Sequence, residues 1–82
     1  MTESHYRIVA HLIKTIRVEA GLKQTDVSGR LGVTQSIVSK SESGERRLDL
    51  LEIRAICAVC GVALADFVAR VEKRIAEVSR AR

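Results

Sequence analysis

The amino-acid sequence predicts an all-α protein, and three observations favour that class. First, the chain contains no proline, the residue that most disfavours a helix interior. Second, apolar residues recur at spacings of three and four in five successive segments, which is the period of an amphipathic helix. Third, 82 residues with 46% hydrophobic and 29% charged side chains suit one globular domain. We therefore expect one five-helix domain over residues 1–82.

The first two helices are predicted over residues 5–19 and 24–31. The first carries an apolar stripe and is followed by Gly21, a residue suited to ending a helix. The second points Val27 and Leu31 inward, four residues apart, so one of its faces is expected to be buried. The stripe of the first helix comprises Ile8, Val9, Leu12, Ile13 and Ile16.

The third helix is expected to begin after Thr34, a suitable N-cap, and to end before Gly44. Val38 is the one residue of this helix that the pattern assigns to a core. Because the rest of the helix is polar and rich in serine, stability alone explains its composition poorly. A helix-turn-helix over about residues 24–42, with its outer face free to contact DNA, explains that composition better.

The last two helices begin near residues 50 and 64. The fourth opens at a capping box formed by Asp49 and Glu52. The fifth extends to about residue 80, with an apolar stripe on one face and charged side chains on the other. The stripe comprises Leu64, Phe67, Val68, Val71, Ile75 and Val78.

Part of that stripe is predicted to form a dimer interface. Its residues follow the point near Phe67 where the core is expected to close, and their spacing is that of a short coiled-coil seam. A two-fold partner would bury the stripe on both chains. The alternative is that the stripe packs back onto the first helix, near Val9 and Ile13. The predicted interface residues are Val68, Val71, Ile75 and Val78.

A set of residues at fixed spacings occurs together between residues 12 and 67. The set comprises Arg17, Gly21-Leu22-Lys23-Gln24, Leu31-Gly32-Val33-Thr34-Gln35-Ser36, Val38-Ser39-Lys40 and Glu42-Ser43-Gly44-Glu45-Arg46-Arg47-Leu48-Asp49. It resembles the Cro/C1-type helix-turn-helix proteins, the XRE family of phage and bacterial regulators. The resemblance implies a five-helix lambda-repressor-like DNA-binding domain, here with an extended C-terminal helix. Three positions depart from the family pattern: Lys23 replaces a capping Ser or Thr, Ser28 replaces an alanine, and Ser41 replaces a large apolar or aromatic residue.

The resemblance also implies roles for polar residues. Residues on the outward face of the third helix are expected to read bases, since a glutamine amide fits adenine and a lysine suits guanine. Residues at the start of the second helix and in the loop after the third are expected to contact phosphates. The alternative for each is an exposed side chain that only keeps the surface soluble. The predicted DNA-binding set is Gln24, Thr34, Gln35, Ser36, Ser39, Lys40, Arg46 and Arg47.

Two further expectations concern residues near this face. By the same resemblance, Arg17 and Glu42 should form an ion pair that locks the third helix onto the first. Ile37 is expected to point outward, where it would touch a thymine methyl group or the sugar backbone, or would face a partner subunit. The sequence leaves those options open.

Composition narrows the function classes. A net charge of +4 favours an anionic partner, nucleic acid first and a membrane surface second. No apolar run approaches the roughly 18 residues of a membrane span, and the N-terminus lacks a leader pattern, so the cytoplasm is expected. Cys57 and Cys60 cannot complete a four-ligand zinc site. No catalytic set is apparent, so we expect no metal, no cofactor and no enzymatic activity.

The sequence therefore predicts a transcriptional regulator, a repressor, that binds a palindromic double-stranded DNA operator as a homodimer. Restriction-modification controller proteins and phage-type repressors are both open as sub-classes. One alternative is a helix-turn-helix adaptor or antitoxin acting through a protein partner, although the polar third helix lacks the apolar patch expected of one. A second alternative, a small redox or metal protein, rests only on the two cysteines.

Overall fold

The computed structural model describes residues 3–81, with the side chains of residues 5–81, and these residues form five α-helices without a strand. The helices are α1 (Glu3–Glu19), α2 (Gln24–Leu31), α3 (Gln35–Ser43), α4 (Leu50–Val59) and α5 (Leu64–Arg80). The all-α prediction is confirmed. The first helix begins at Glu3 rather than at residue 5, and the others lie where the hydrophobic pattern and the capping residues predicted them.

Helix α1 forms the centre of the core. Its buried side chains extend beyond the predicted stripe to include Tyr6 and Ala10. Helix α1 contacts α3, α4 and α5, so these three helices cover a wide arc of its surface. Phe67 of α5 and Val27 of α2 are also almost fully buried. The buried hydrophobic cluster comprises Ile8, Leu12, Ile13, Ile16, Val27, Val38, Ile56, Cys57, Cys60 and Phe67.

A tight turn joins α2 to α3. Gly32 has a φ of 70°, in the left-handed region that glycine adopts without a steric penalty. The backbone N–H of Val33 then donates to the carbonyl oxygen of Ser28 at 3.0 Å. Ser28 is itself buried, and its hydroxyl donates to the carbonyl oxygen of Thr25 at 3.2 Å. The turn therefore holds α2 and α3 as one unit.

The start of α4 is capped as predicted. The N–H of Glu52 donates to Asp49 Oδ1 at 2.8 Å, and the N–H of Asp49 donates to Glu52 Oε1 at 2.9 Å. The hydrogen bond from the Asp49 backbone, followed by one from Arg46, lowers the pKa of the Glu52 carboxyl. This reciprocal box fixes the point at which the loop after α3 enters α4.

Helix α5 packs back along α1 in the antiparallel direction. The guanidinium of Arg70, near the start of α5, donates to both carboxylate oxygens of Glu19, at the end of α1, at 3.0 and 3.1 Å. Further along, Leu12 of α1 lies beside Lys73 and Glu77 of α5. The long C-terminal helix is therefore part of the domain rather than an arm that projects from it.

This packing corrects the expectation of an uncovered apolar seam. Most of the predicted seam is half-buried and packs against the core of its own chain, where α1 covers it. The half-buried residues are Val71, Ile75 and Val78. Among the four predicted interface residues, Val68 alone is exposed, at 45%. The alternative, that the stripe packs back onto the first helix, describes the monomer correctly.

Candidate nucleic-acid interface

Short side chains anchor the inner side of α3. Val38 is buried as predicted, and Ser41 is buried as well, although only Val38 had been assigned to a core. The Ser41 hydroxyl donates to the carbonyl oxygen of Ile37 at 2.7 Å, so this buried polar group is satisfied within the helix. At the other end, Thr34 caps the helix by accepting from the N–H of Ile37 at 3.3 Å. Helix α3 is thus fixed without using its outward face.

The outward face of α3 is polar and exposed. It brings together the predicted base-reading residues, at spacings of three and four that place them on one side of the helix. Ser43 extends this face by one turn, and its hydroxyl donates to the carbonyl oxygen of Lys40 at 3.1 Å. Sequence reasoning omitted Ser43, although its spacing from Ser36 and Ser39 pointed to it. The exposed residues are Thr34, Gln35, Ser36, Ser39, Lys40 and Ser43.

A chain of hydrogen bonds links this face to the core. Gln35 Nε2 donates to Gln24 Oε1 at 3.4 Å, and Gln24 Nε2 donates to Glu42 Oε1 at 3.1 Å. Glu42 in turn accepts from Arg17 of α1. The two glutamines that the resemblance implied as DNA contacts are therefore neighbours, and the more buried one rests on the ion pair.

The ion pair between Arg17 and Glu42 is the buried end of that chain. Arg17 Nε donates to Glu42 Oε2 at 2.6 Å, and Nη2 donates to Oε1 at 3.0 Å. The third guanidinium nitrogen, Nη1, donates to the carbonyl oxygen of Leu22 at 2.8 Å. The hydrogen bonds to Glu42 raise the pKa of Arg17 in spite of the opposing effect of burial. The pair ties α3 to α1 and also holds the turn that leads into α2.

The loop between α3 and α4 is held by Tyr6. The Tyr6 hydroxyl donates to the carbonyl oxygen of Arg46 at 3.2 Å and accepts from the N–H of Leu48 at 2.7 Å. Sequence reasoning did not single out Tyr6. The available signal was a lone tyrosine beside an apolar stripe, since a buried tyrosine usually finds a partner for its hydroxyl.

The two loop arginines differ in their surroundings. Arg47 lies over the Tyr6 ring, with Cζ 4.4 Å from the ring centroid, and its side chain is exposed. Arg46 forms an ion pair with Glu52, with Nη2 2.6 Å from Oε2. The prediction gave both residues the same role as loop cations; in the structure Arg47 lies on an aromatic ring and Arg46 lies on a carboxylate.

The expectation that Ile37 points outward is wrong. Ile37 is half-buried and faces the side of α3 that looks toward α4, where it lies beside Val38 and Leu48. The helical period explains this, because Ile37 lies one turn before the buried Ser41 and therefore on the same side of α3.

The remaining candidate chemistry does not form a site. Cys57 and Cys60 are buried as free thiols in the core, and burial raises the pKa of both. Among the side chains of residues 5–81, no three of His, Cys, Asp or Glu are grouped to hold a metal ion. Of the helices in that part of the chain, none has the length and apolar character needed to cross a membrane.

Comparison with known proteins agrees with this geometry. The chain matches the family model described as Helix-turn-helix over residues 13–67, which is more than half of its length. Among solved structures it is similar to the XRE-family like protein from Pseudomonas syringae pv. tomato str. DC3000, with a TM-score of 0.80. The two share 34% sequence identity, and the match covers 87% of each chain. No curated protein matches the chain.

The fold and the exposed polar helix define a helix-turn-helix regulator of the DNA-binding class. The chain belongs to the Cro/C1-type helix-turn-helix family, also called the XRE family, as the sequence resemblance indicated. Members of this family are in general DNA-binding regulators rather than enzymes.

Proposed function

We propose that the protein is a repressor that recognises specific double-stranded DNA by placing α3 in the major groove. The observation that carries this proposal is the outward face of α3. That face is exposed and polar along the helix, while the inner side is fixed to α1 and α2. An α-helix fits the major groove of DNA, where each base pair presents a distinct pattern of hydrogen-bond donors and acceptors.

Gln35 is the residue we assign to adenine. Its Nε2 has two hydrogens, and only one of them is used by Gln24 Oε1. The second hydrogen and the Oε1 acceptor match N7 and N6 of adenine. We assign Ser36 and Ser39 to neighbouring base edges and Lys40 to guanine. We assign Thr34, at the N-terminus of α3, to a contact with the DNA sugar-phosphate backbone. The N–H groups at that end of the helix are assigned to the same contact.

Phosphate contacts are assigned to Gln24 and to the two loop arginines. Gln24 begins α2, where backbone N–H groups and the second amide hydrogen of its side chain favour an anion. Arg46 must loosen its pairing with Glu52 before it reaches a phosphate. Arg47→Ala should weaken binding to all sequences alike and reduce the salt slope by about 1.

We infer that the DNA-bound form is a homodimer on a palindromic operator. One module makes few contacts, and two recognition helices about 34 Å apart would double them. Because Val71 and Ile75 support the monomer core, the exposed Val68 is the member of the stripe left to contact a second copy. Light scattering at tens of micromolar should give a dimer mass for the wild type and a monomer mass for Val68→Glu. Ala69→Glu, on the exposed neighbouring position, is the matched control, and a monomeric wild type would refute the dimer.

Selection from a randomised double-stranded DNA library tests the DNA-binding proposal as a whole. The expected result is enrichment of an inverted repeat whose half-sites are one helical turn apart. Absence of any enriched sequence, from a protein that circular dichroism shows to be folded, would contradict the proposal. That outcome would favour the adaptor or antitoxin alternative, in which the partner is another protein.

A further inference from the structure

Two exposed cations of α1 lie on the side of that helix that meets the C-terminal end of α3. They belong to a stripe of residues that recur at spacings of three, four and three, which places them on one side of α1. The stripe comprises Arg7, Ala10, Lys14 and Arg17. Ala10 is buried and Arg17 is half-buried, whereas Arg7 and Lys14 are exposed. We call this exposed pair the α1 cationic edge.

Ala10 and Arg17 show where the stripe meets α3. Gly44, the C-cap of α3, lies so near Ala10 that a β-carbon at position 44 would be 3.9 Å from the Ala10 β-carbon. Arg17 Nε donates to Glu42 Oε2, in the last turn of α3, at 2.6 Å. Lys14 lies between these two contacts along α1. The stripe therefore runs beside the last turn of α3 and its cap.

The α1 cationic edge lies on the solvent side of that contact. Ile13 and Ile16, each 1% exposed, mark the side of α1 that faces the core. At about 100° per residue, Lys14 and Ile13 lie on opposite sides of the line along which α1 meets α3. The polar face of α3 is also on the solvent side of this line, because the opposite side of α3 is buried. The edge therefore continues the polar face of α3 onto α1.

The charge of the edge is not neutralised within the described residues. Among residues 5–81, neither Arg7 nor Lys14 forms an ion pair, whereas Arg17, Arg46 and Arg70 each pair with a glutamate. The two cations are separated by seven residues, which is about 10 Å along the helix. Successive phosphates of one DNA strand are about 3.4 Å apart along the duplex axis, so each cation would meet a different phosphate. A polyanion beside α3 is therefore the partner that fits the edge.

We propose that the α1 cationic edge contacts the phosphate backbone of the DNA that α3 reads. This assignment rests on the proposed function and extends it, because every DNA-contacting residue implied by the family resemblance lies at position 24 or later. Arg7 and Lys14 act through their charge, so they add affinity for any duplex and no preference for a base.

Salt titrations of DNA binding test the edge, with the selected operator and a random duplex as separate probes. Arg7→Gln and Lys14→Gln each remove one charge from an exposed position. Each change should lower the slope of log affinity against log salt by about 0.9, the value for one lost phosphate contact. Each should also weaken binding to the operator and to random DNA by the same factor, about two- to fivefold at low salt.

Lys73→Gln and Arg74→Gln are the matched controls, because they remove the same charges from exposed positions of α5. Both residues lie beside Leu12 of α1. Leu12 is two positions from Lys14 and therefore about 200° away from it around the helix. An effect of overall net charge would appear equally in edge and control variants. We expect the controls to keep the wild-type slope, and circular dichroism checks that all four variants are folded.

Each outcome decides one question. A lower slope in the edge variants, with an unchanged slope in the α5 controls, would support the contact. Equal slopes in edge and control variants, for a wild type that binds the operator, would overturn the contact and leave the proposed function standing. Weakening confined to the operator would also overturn it, because a phosphate contact affects every sequence alike. A wild type that binds no DNA would overturn both the contact and the proposed function.

Discussion

Two arginine–glutamate pairs hold neighbouring helices onto α1, and they do so in opposite surroundings. Arg17 and Glu42 join α1 to α3, with side chains only 11% and 4% exposed. Arg70 and Glu19 join α5 to α1, with side chains 38% and 56% exposed. Each carboxylate accepts two N–H groups from one guanidinium, Glu42 from Nε and Nη2 and Glu19 from Nη1 and Nη2, and Glu42 also accepts from Gln24. The two pairs differ clearly in their burial.

That difference indicates which helix contact the fold depends on. An exposed pair is screened by salt and competes with water, so it adds little stability. A buried pair has already lost its hydration, so removal of one partner leaves a charge that the interior cannot solvate. The contact between α1 and α3 should therefore depend strongly on its ion pair. The contact between α1 and α5 should be held mainly by the apolar stripe of α5.

Removal of the buried carboxylate should have the largest effect. Glu42→Ala leaves Arg17 without its anion and Gln24 without its acceptor, and we expect a loss of about 3–5 kcal/mol in the free energy of unfolding. Urea denaturation measures this loss. Since small domains have little stability to spare, Glu42→Gln provides a milder variant that keeps hydrogen-bonding capacity.

Glu19→Ala is the matched control, because it removes the carboxylate of the exposed pair in the same way. We expect only a small shift of the urea midpoint. Equal losses in the two alanine variants would mean that burial of the pair does not determine its contribution, which would contradict the comparison.

The Tyr6 hydroxyl is a tether of intermediate strength. Tyr6→Phe keeps the ring under Arg47 but removes the acceptor of the Leu48 N–H and a donor to the Arg46 carbonyl. We expect a loss of about 1–3 kcal/mol, because the partly buried N–H loses its partner. Amide hydrogen exchange should show faster exchange at Leu48, and unchanged exchange there would show that Tyr6 does not hold the loop.

Acid titration should reveal the smallest effect. The hydrogen bond from Arg70 lowers the pKa of Glu19 below its ordinary value of 4.5 in the folded protein. Between the lowered and the ordinary pKa, the unfolded chain binds more protons, so stability falls as pH falls through that window. Above pH 4.5 the contribution is fully present. Wild type should therefore lose slightly more stability than Glu19→Gln below this pH, and identical acid profiles would exclude the pair as a contributor.

The sequence predicted the helices because their signals are local. Capping by Thr34 and by Asp49 with Glu52 uses residues at most three positions apart, and the structure shows the same contacts. The fate of the C-terminal stripe depends instead on which surface α1 leaves uncovered. The pattern of Val71 and Ile75 carries no information about that, since a partner chain and α1 would cover it equally well.

The candidate DNA-binding face could likewise be predicted only where the signals are local to one helix. The outward residues of α3 follow from helical period and from the family resemblance. Two contacts could not be predicted, because their sequence spacings match no helical or turn pattern. They are the ion pair of Arg46 with Glu52 and the contact of Tyr6 with the loop between α3 and α4. Ile37 was misassigned because a residue at the edge of a buried face can turn either way, and the neighbouring helix α4 decided its direction.

The central claim is that the outward face of α3 reads bases, and the base preferences of wild type and Gln35→Ala on the selected operator test it most directly. Affinities are measured for the operator, for each single base change in a half-site, and for random DNA at one salt concentration. We predict that Gln35→Ala costs about 1–3 kcal/mol on the operator and removes the preference at one base position in each half-site, with little change on random DNA. Equal weakening on the operator and on random DNA, with all base preferences retained, would contradict the account.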